Sequence, residues 1–157
     1  MERFSNQEPL WPSLDAAREQ ILWALAQADV VKISDNEVQF LFGLSPEAGA
    51  QHILNTFGCK LVFVTCGPEG SVYANRNAIG RVPGLKNVQV VDTTGAGDIF
   101  GGSALWKLLQ LGKAPEDLTE GEMASIARFA CTAASLSTQK PGGVSSVPTY
   151  EEVLTRV

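Results

Sequence analysis

Asp92-Thr93-Thr94-Gly95-Ala96-Gly97-Asp98 combines two carboxylates, two hydroxyls and three small residues immediately ahead of an apolar stretch with helical spacing. Glycines at 95 and 97 permit tight turns, and a helix beginning near Asp98 leaves the N–H groups of its first turn without intrahelical partners. Such amides, at the positive end of the helix dipole, suit the oxygens of a phosphoryl group in transfer. Gly95, Ala96 and Gly97 are small enough for phosphate to approach the backbone, which makes them a candidate anion hole. Asp98 stands at the same helix start, where the dipole stabilises its carboxylate and it can take the proton of a hydroxyl nucleophile as general base. The alternative is that Asp98 only caps the helix and the glycines only turn the chain. A dinucleotide fingerprint does not fit, because Gly95, Gly97 and Gly101 are spaced GxGxxxG and no strand ending in an acid follows about 20 residues later. A Walker loop fails for want of Gly-Lys-Ser/Thr.

Such a loop needs a strand before it and a helix after it. Val88 to Val91 reads as the strand, and Gly97 to Leu111 as the helix, stopping at Gly112. Upstream, Leu14, Ala17, Ile21, Leu22, Leu25 and Ala28 recur at helical steps, giving a helix from Ser13 to Gln27 with Ser13 as cap. Val30 to Ile33 is a short β-branched strand, and Ser34-Asp35-Asn36-Glu37 caps a helix running from about Glu37 to Phe42. A helix from Pro46 to Thr56 ends at Gly58, and Lys60 to Thr65 is a continuous apolar run, as expected of a buried strand. Strands alternating with helices predict a parallel sheet. The segments Ser71 to Ala74 and Ala78 to Val82, separated by Asn75-Arg76-Asn77, add antiparallel edges. Glu120 to Ser137 is a further helix, and Thr149 caps a short last one.

With 157 residues and 45% hydrophobic content, the chain is expected to fold as a single domain spanning residues 1–157. A net charge of −5 argues against nucleic acid and anionic membrane as partners, since both need a basic surface. No apolar run approaches the roughly 18 residues needed to span a bilayer, and Met1 to Ser5 lacks the apolar core of a secretion signal. The expectation is a cytoplasmic protein. Cys59, Cys66 and Cys131 sit apart among apolar neighbours, as buried thiols do, and His52 has no His or Cys partner for a zinc site and reads as a helix-surface residue.

The string DTTGAGDIF from Asp92 to Phe100 resembles the C-terminal signature of the ribokinase/pfkB family of carbohydrate kinases. PLWPS (Pro9 to Ser13), ADVVKISDNEVQFLFG (Ala28 to Gly43), KLVFVTCGPEG (Lys60 to Gly70) and SLSTQKPGGVSSVP (Ser135 to Pro148) look like successive segments of bacterial or plant fructokinases. The resemblance implies an α/β fold of the ribokinase-like, three-layer, Rossmann-like kind, a sheet flanked by helices. It also implies transfer of the ATP γ-phosphate to the 6-hydroxyl of D-fructose, with Asp98 as base, Gly95-Ala96-Gly97 as anion hole and Mg2+ accompanying ATP. By the same resemblance Thr65, Gly67 and Gly70 form a nucleotide-contacting turn, and Lys32 and Asn36 lie near the phosphates and metal-bound waters. Asp92, Thr94, Ser137, Gly142 and Ser146 match ligands of a monovalent cation, K+, although oxygen-rich turns of this kind are also common without one.

The chain departs from the family pattern in three places. Asn36 is followed three residues later by Gln39 where the family has Glu, which brings less charge to hydrated magnesium. Cys131 stands where many relatives have Asn near the adenine. Family members are about twice this length, and their first half carries the sugar-binding residues and the lid through which a full-length parent forms homodimers. The sequence is therefore expected to represent a C-terminal half truncated at its N-terminus and unable to phosphorylate a sugar alone. The competing expectation is a non-catalytic ATP-binding or regulatory fragment. The choice of fructose among sugar substrates rests on resemblance alone.

Overall fold

Four strands, β1 (Val30–Ser34), β2 (Leu61–Thr65), β3 (Ser71–Asn75) and β4 (Ile79–Val82), form one sheet in the order β1-β2-β3-β4. The computed structural model describes residues 11–157. Pro9 and Leu10 of the PLWPS segment, like Met1 to Ser5, lie outside the described residues. β1 and β2 are parallel, with Val30 opposite Leu61 and Ser34 opposite Thr65, while β2–β3 and β3–β4 are antiparallel. The sheet is therefore mixed, with a single parallel pair and antiparallel strands added at one edge only.

Strand alternation sorts the core into two layers around the sheet. Val31, Ile33, Val62, Val64, Val72 and Ala74 face one side. There they pack with α1 (Leu14–Leu25), α2 (Asp35–Phe42) and α3 (Pro46–Phe57). Leu61, Phe63 and Tyr73 face the other side, against Phe100, Ala104 and Leu108 of α4 (Ala96–Leu111) and Met123, Ile126 and Ala127 of α5 (Glu120–Ser137). The result is the expected three-layer α/β arrangement. Lys32, between Val31 and Ile33, takes the α4 side by the same alternation.

Local signals fix the helix ends. Ser13, Ser34, Ser45, Thr119 and Thr149 each accept a backbone N–H as N-caps, and Ser34–Glu37, Thr119–Glu122 and Thr149–Glu152 close reciprocal capping boxes. The last of these opens α6 (Tyr150–Leu154). Cys59, Cys66 and Cys131 are buried, and burial pushes all three thiols up. His52 is a half-buried residue of α3 whose ring lies 4.7 Å from that of Phe42 in an edge-on contact. Among the described residues no helix is long and apolar enough to cross a membrane.

Two features depart from the sequence pattern. Val88–Val91 is not a strand: among the described residues no strand pairs with it, and Val90 and Val91 are 57% and 60% exposed. The Val91 and Asp92 N–H groups both donate to the Thr138 carbonyl, at 2.7 and 3.0 Å, so the segment is pinned only at its end. β-branched residues favour a pleated, half-buried surface, and without a neighbouring strand they do not make one. Asn75, read as a turn residue, instead closes β3 as a buried hub. Its amide donates to the Pro115 and Leu118 carbonyls at 3.2 and 2.9 Å, and its oxygen accepts the Asn77 and Ala78 N–H groups at 2.8 and 3.2 Å.

Candidate functional site

The parallel strands β1 and β2 end together at Ser34 and Thr65, the edge of an α/β sheet outside which ligands bind. Gly95 lies near this edge, in the left-handed region at φ 77°, and is the N-cap of α4 without a side-chain cap. A Cβ on Gly95 would come within 3.1 Å of the Gly143 Cα, so the 141–146 loop packs directly on the turn. The Ala96 N–H is taken by the Thr93 carbonyl at 3.2 Å and that of Ile99 by Gly95 at 2.9 Å. The Gly97 and Asp98 amides lie between these, in the part of the first turn that has no intrahelical acceptor. The helix starts at Ala96, earlier than the sequence pattern suggested, and this puts Gly97 and Asp98 inside that turn. Asp98 is exposed, and its carboxylate makes no capping hydrogen bond among the described residues. That leaves its oxygens free for an incoming donor.

Lys32 reaches this turn from β1. The space a Cβ would fill on Gly97 lies 2.9 Å from the Lys32 Nζ, so an ammonium sits against Gly97 in the first turn of the helix. A cationic tip, free N–H groups and a helix dipole all favour an anion at this point.

Beside it opens a cavity of about 380 Å³. Thr65, Gly67, Gly70, Ala96 and Gly97 line it, so the expected nucleotide turn and anion hole share one space. Gly70, at φ 94° and ψ −134°, adopts a conformation open essentially only to glycine. The remaining walls are mostly apolar, including Phe100 from α4, Cys131 and Ala134 from α5, and Leu85, Val88 and Val90 from the 84–91 segment. That composition matches the usual lining of a small-molecule site. A larger cleft of about 600 Å³ lies at the opposite sheet edge, by Lys60 and Asn75, away from the glycine loop. Asn36 stands exposed in the first turn of α2, next to the end of β1, and its side chain bonds no other member of the site among the described residues.

The oxygen-rich loops meet through Asp92. Its Oδ1 accepts the Thr94 N–H and its Oδ2 the Gly142 N–H, each at 2.9 Å. These bonds, Gly142 first, hold its carboxyl at about 2. Ser146 is buried and its hydroxyl donates to the Gly143 carbonyl at 2.9 Å, while Ser137 donates to Ala134 at 2.8 Å within its own helix. The structure thus joins Asp92, Thr94 and Gly142 and ties Ser146 to the same loop, whereas the Ser137 hydroxyl is used locally. Among the described residues no group of three or more His, Cys, Asp or Glu side chains gathers to hold a metal ion.

The Asp92 clasp sets a pH dependence. Its folded value lies below the ordinary carboxylate value near 4, so the stabilisation is fully present above about pH 4 and is lost as pH falls through about 2. Asn at 92 keeps one acceptor oxygen and turns an NH2 toward the second N–H. Urea denaturation of the parent and Asp92→Asn should therefore show the parent more stable at pH 7, with the gap closing toward pH 2. A gap independent of pH would count against the clasp.

Sequence reasoning missed the contribution of the 84–91 segment to the cavity wall. No local signal marks it, since its role comes from lining a cavity together with distant elements.

A family model described as pfkB family carbohydrate kinase matches residues 4–150. Fructokinase-1 of Zea mays is 41% identical over 148 residues, covering 94% of this chain and 45% of that protein. A Vibrio cholerae fructokinase double mutant, solved with fructose, ADP and potassium ion bound, superposes with a TM-score of 0.81 at 30% identity, covering 96% of this chain and 47% of its own. A Xylella fastidiosa fructokinase with bound ATP gives a TM-score of 0.82 at 29% identity, covering 96% and 49%. The chain thus spans about half the length of the relatives it matches.

Proposed function

We propose that this chain, which belongs to the pfkB family of carbohydrate kinases, forms the nucleotide-binding and catalytic half of an ATP-dependent sugar kinase, with the 6-hydroxyl of D-fructose as acceptor. The observation that carries this reading is the meeting of the Lys32 ammonium with Gly97 at the uncapped start of α4, beside a mostly apolar cavity. Fructose is favoured by likeness to proteins named fructokinase, one of them solved with fructose and ADP.

In this reading the cavity takes the nucleoside and the Thr65–Gly70 turn the chain of phosphates. The Gly97 and Asp98 amides, with Gly95 and Ala96 giving close approach, receive the γ-phosphoryl oxygens, and Lys32 offsets their charge. Asp98 accepts the proton as the sugar hydroxyl attacks. Asn36 would stand near the waters of a magnesium ion carried by ATP, and that ion would supply charge neutralisation to the phosphates. Asp92, Thr94, Ser137, Gly142 and Ser146 are assigned to a K+ beside the anion hole. This rests on family resemblance, and the Asp92 clasp that joins the two loops supports it.

The chain alone is expected not to phosphorylate fructose, because positioning the acceptor supplies roughly 7–11 kcal/mol of a bimolecular barrier and this chain spans only 45% of the maize relative. That same coverage favours a second reading, an ATP-binding fragment without catalysis. Calorimetry with MgATP on the chain should show saturable binding, and its absence would sink both readings. Fructose-dependent ADP release should be negligible for the chain alone and should appear once it is fused behind the unmatched N-terminal portion of the maize enzyme. Binding without release in a folded fusion would favour the second reading.

A further inference from the structure

Asn87 is the one non-glycine among the described residues with positive φ, 59°. Asn tolerates this left-handed region better than most residues, yet glycine adopts it without cost, and outliers of this kind concentrate at ligand clamps. Asn87 also lines the 380 Å³ cavity. Among the described residues it supplies the only side-chain amide there, and no charged side chain lines the space. The other polar side chains on the wall are hydroxyls, two of which are already spent: Thr65 donates to the Ile33 carbonyl and Thr138 to that of Ser135. Cys131, on the wall contributed by α5, directs its thiol to the Ser71 hydroxyl. Asn87 is exposed where it lines the cavity, and its amide makes no hydrogen bond to the protein among the described residues, so both its donor and its acceptor are open to a ligand entering from solvent.

We infer that Asn87 is the base-reading residue of this cavity and selects adenine over guanine; the inference rests on the nucleotide reading above. An amide presents one donor and one acceptor in a plane, which matches the N6 amino group and N7 of adenine. On the corresponding edge of guanine, O6 and N7 are both acceptors, so the amide carbonyl is left facing an oxygen. Thr93 and Ser135, the remaining hydroxyls, lack a fixed donor–acceptor pair and follow whichever base is present. A single well-formed amide–base pair is associated with about 5- to 150-fold discrimination.

The test is calorimetric titration of the chain with MgATP, MgGTP and Mg-tripolyphosphate, for the parent and for Asn87→Gly. Glycine keeps the backbone conformation and relieves its strain, so loss of fold is not a competing cause, and thermal melting checks this directly. The expected result is a parent that prefers ATP by about tenfold or more. In Asn87→Gly that preference should collapse toward one through weaker ATP binding, with tripolyphosphate binding and melting temperature maintained. Asn87→Asp, acceptor only at neutral pH, should weaken ATP as well. An unchanged ATP-to-GTP ratio in a folded Asn87→Gly overturns the assignment while leaving the nucleotide site standing. A parent that binds tripolyphosphate but neither nucleotide, or binds nothing, overturns the nucleotide reading and this assignment with it.

Discussion

Asp98→Asn is expected to lower phosphoryl transfer by about 10²- to 10⁴-fold while leaving ATP affinity nearly unchanged. The asymmetry follows from position. Asp98 sits in the first turn of α4, where its own amide and that of Gly97 are proposed to receive phosphate, but its side chain is exposed and bonds nothing in the loop among the described residues. Removing the carboxylate charge leaves these amides, Lys32 and the cavity walls in place, so the ground-state nucleotide loses little. What disappears is the proton acceptor for the sugar hydroxyl, which acts only as the bond forms. The measurement is kcat for fructose-dependent ADP release in the fusion with the maize N-terminal portion, with ATP affinity by calorimetry. A fall of less than about tenfold would remove Asp98 from the role of base. A matching loss of ATP affinity would make it a binding group.

Gly70→Ala should be the most disruptive single methyl in the chain, costing more than about 4 kcal/mol and abolishing ATP binding. Two causes add. The backbone at φ 94° and ψ −134° is closed to L-residues, and a Cβ there would overlap the Val82 carbonyl and approach the Gly84 nitrogen to 2.6 Å. These neighbours are backbone and cannot rotate aside. The turn is also held by the Cys66 N–H to the Gly70 carbonyl at 2.8 Å, so a shift pulls on the end of β2 and on the cavity wall together. Against a typical domain stability of about 5–15 kcal/mol, such a loss leaves a marginal fold. Gly67→Ala is the internal control. It has φ 52° but open space around its Cβ, so it should cost only about 1 kcal/mol. Urea denaturation of the two variants checks the contrast, and equal midpoints would contradict it.

The site divides along the same line between local and distant contacts. The glycine loop, the helix after it and the capping boxes could be read in advance because each depends on residues within about four positions of one another. Ser34 and Glu37 show this, as each bonds the other's backbone region across a single turn. The strand expected at Val88–Val91 failed for the opposite reason. Its composition suits a sheet, but a strand exists only with a partner, and the one carbonyl that pins its end belongs to Thr138. Asn75 likewise resembles any turn residue until the Pro115 and Leu118 carbonyls arrive from a distant loop.

The glycine loop carries its local geometry in its own sequence. Asp92 to Asp98 determined the tight turn, the exposed amides and a free carboxylate, because small residues and a helix start are enough to produce them. The tertiary structure alone decided that Lys32 stands against Gly97, that Gly143 packs on Gly95 and that Asp92 clasps Gly142. It also decided that Asn87 lines the cavity those elements enclose. These contacts join residues far apart in the chain, and their geometry comes from packing α4 and α5 on one face of the sheet, which no short stretch of sequence encodes.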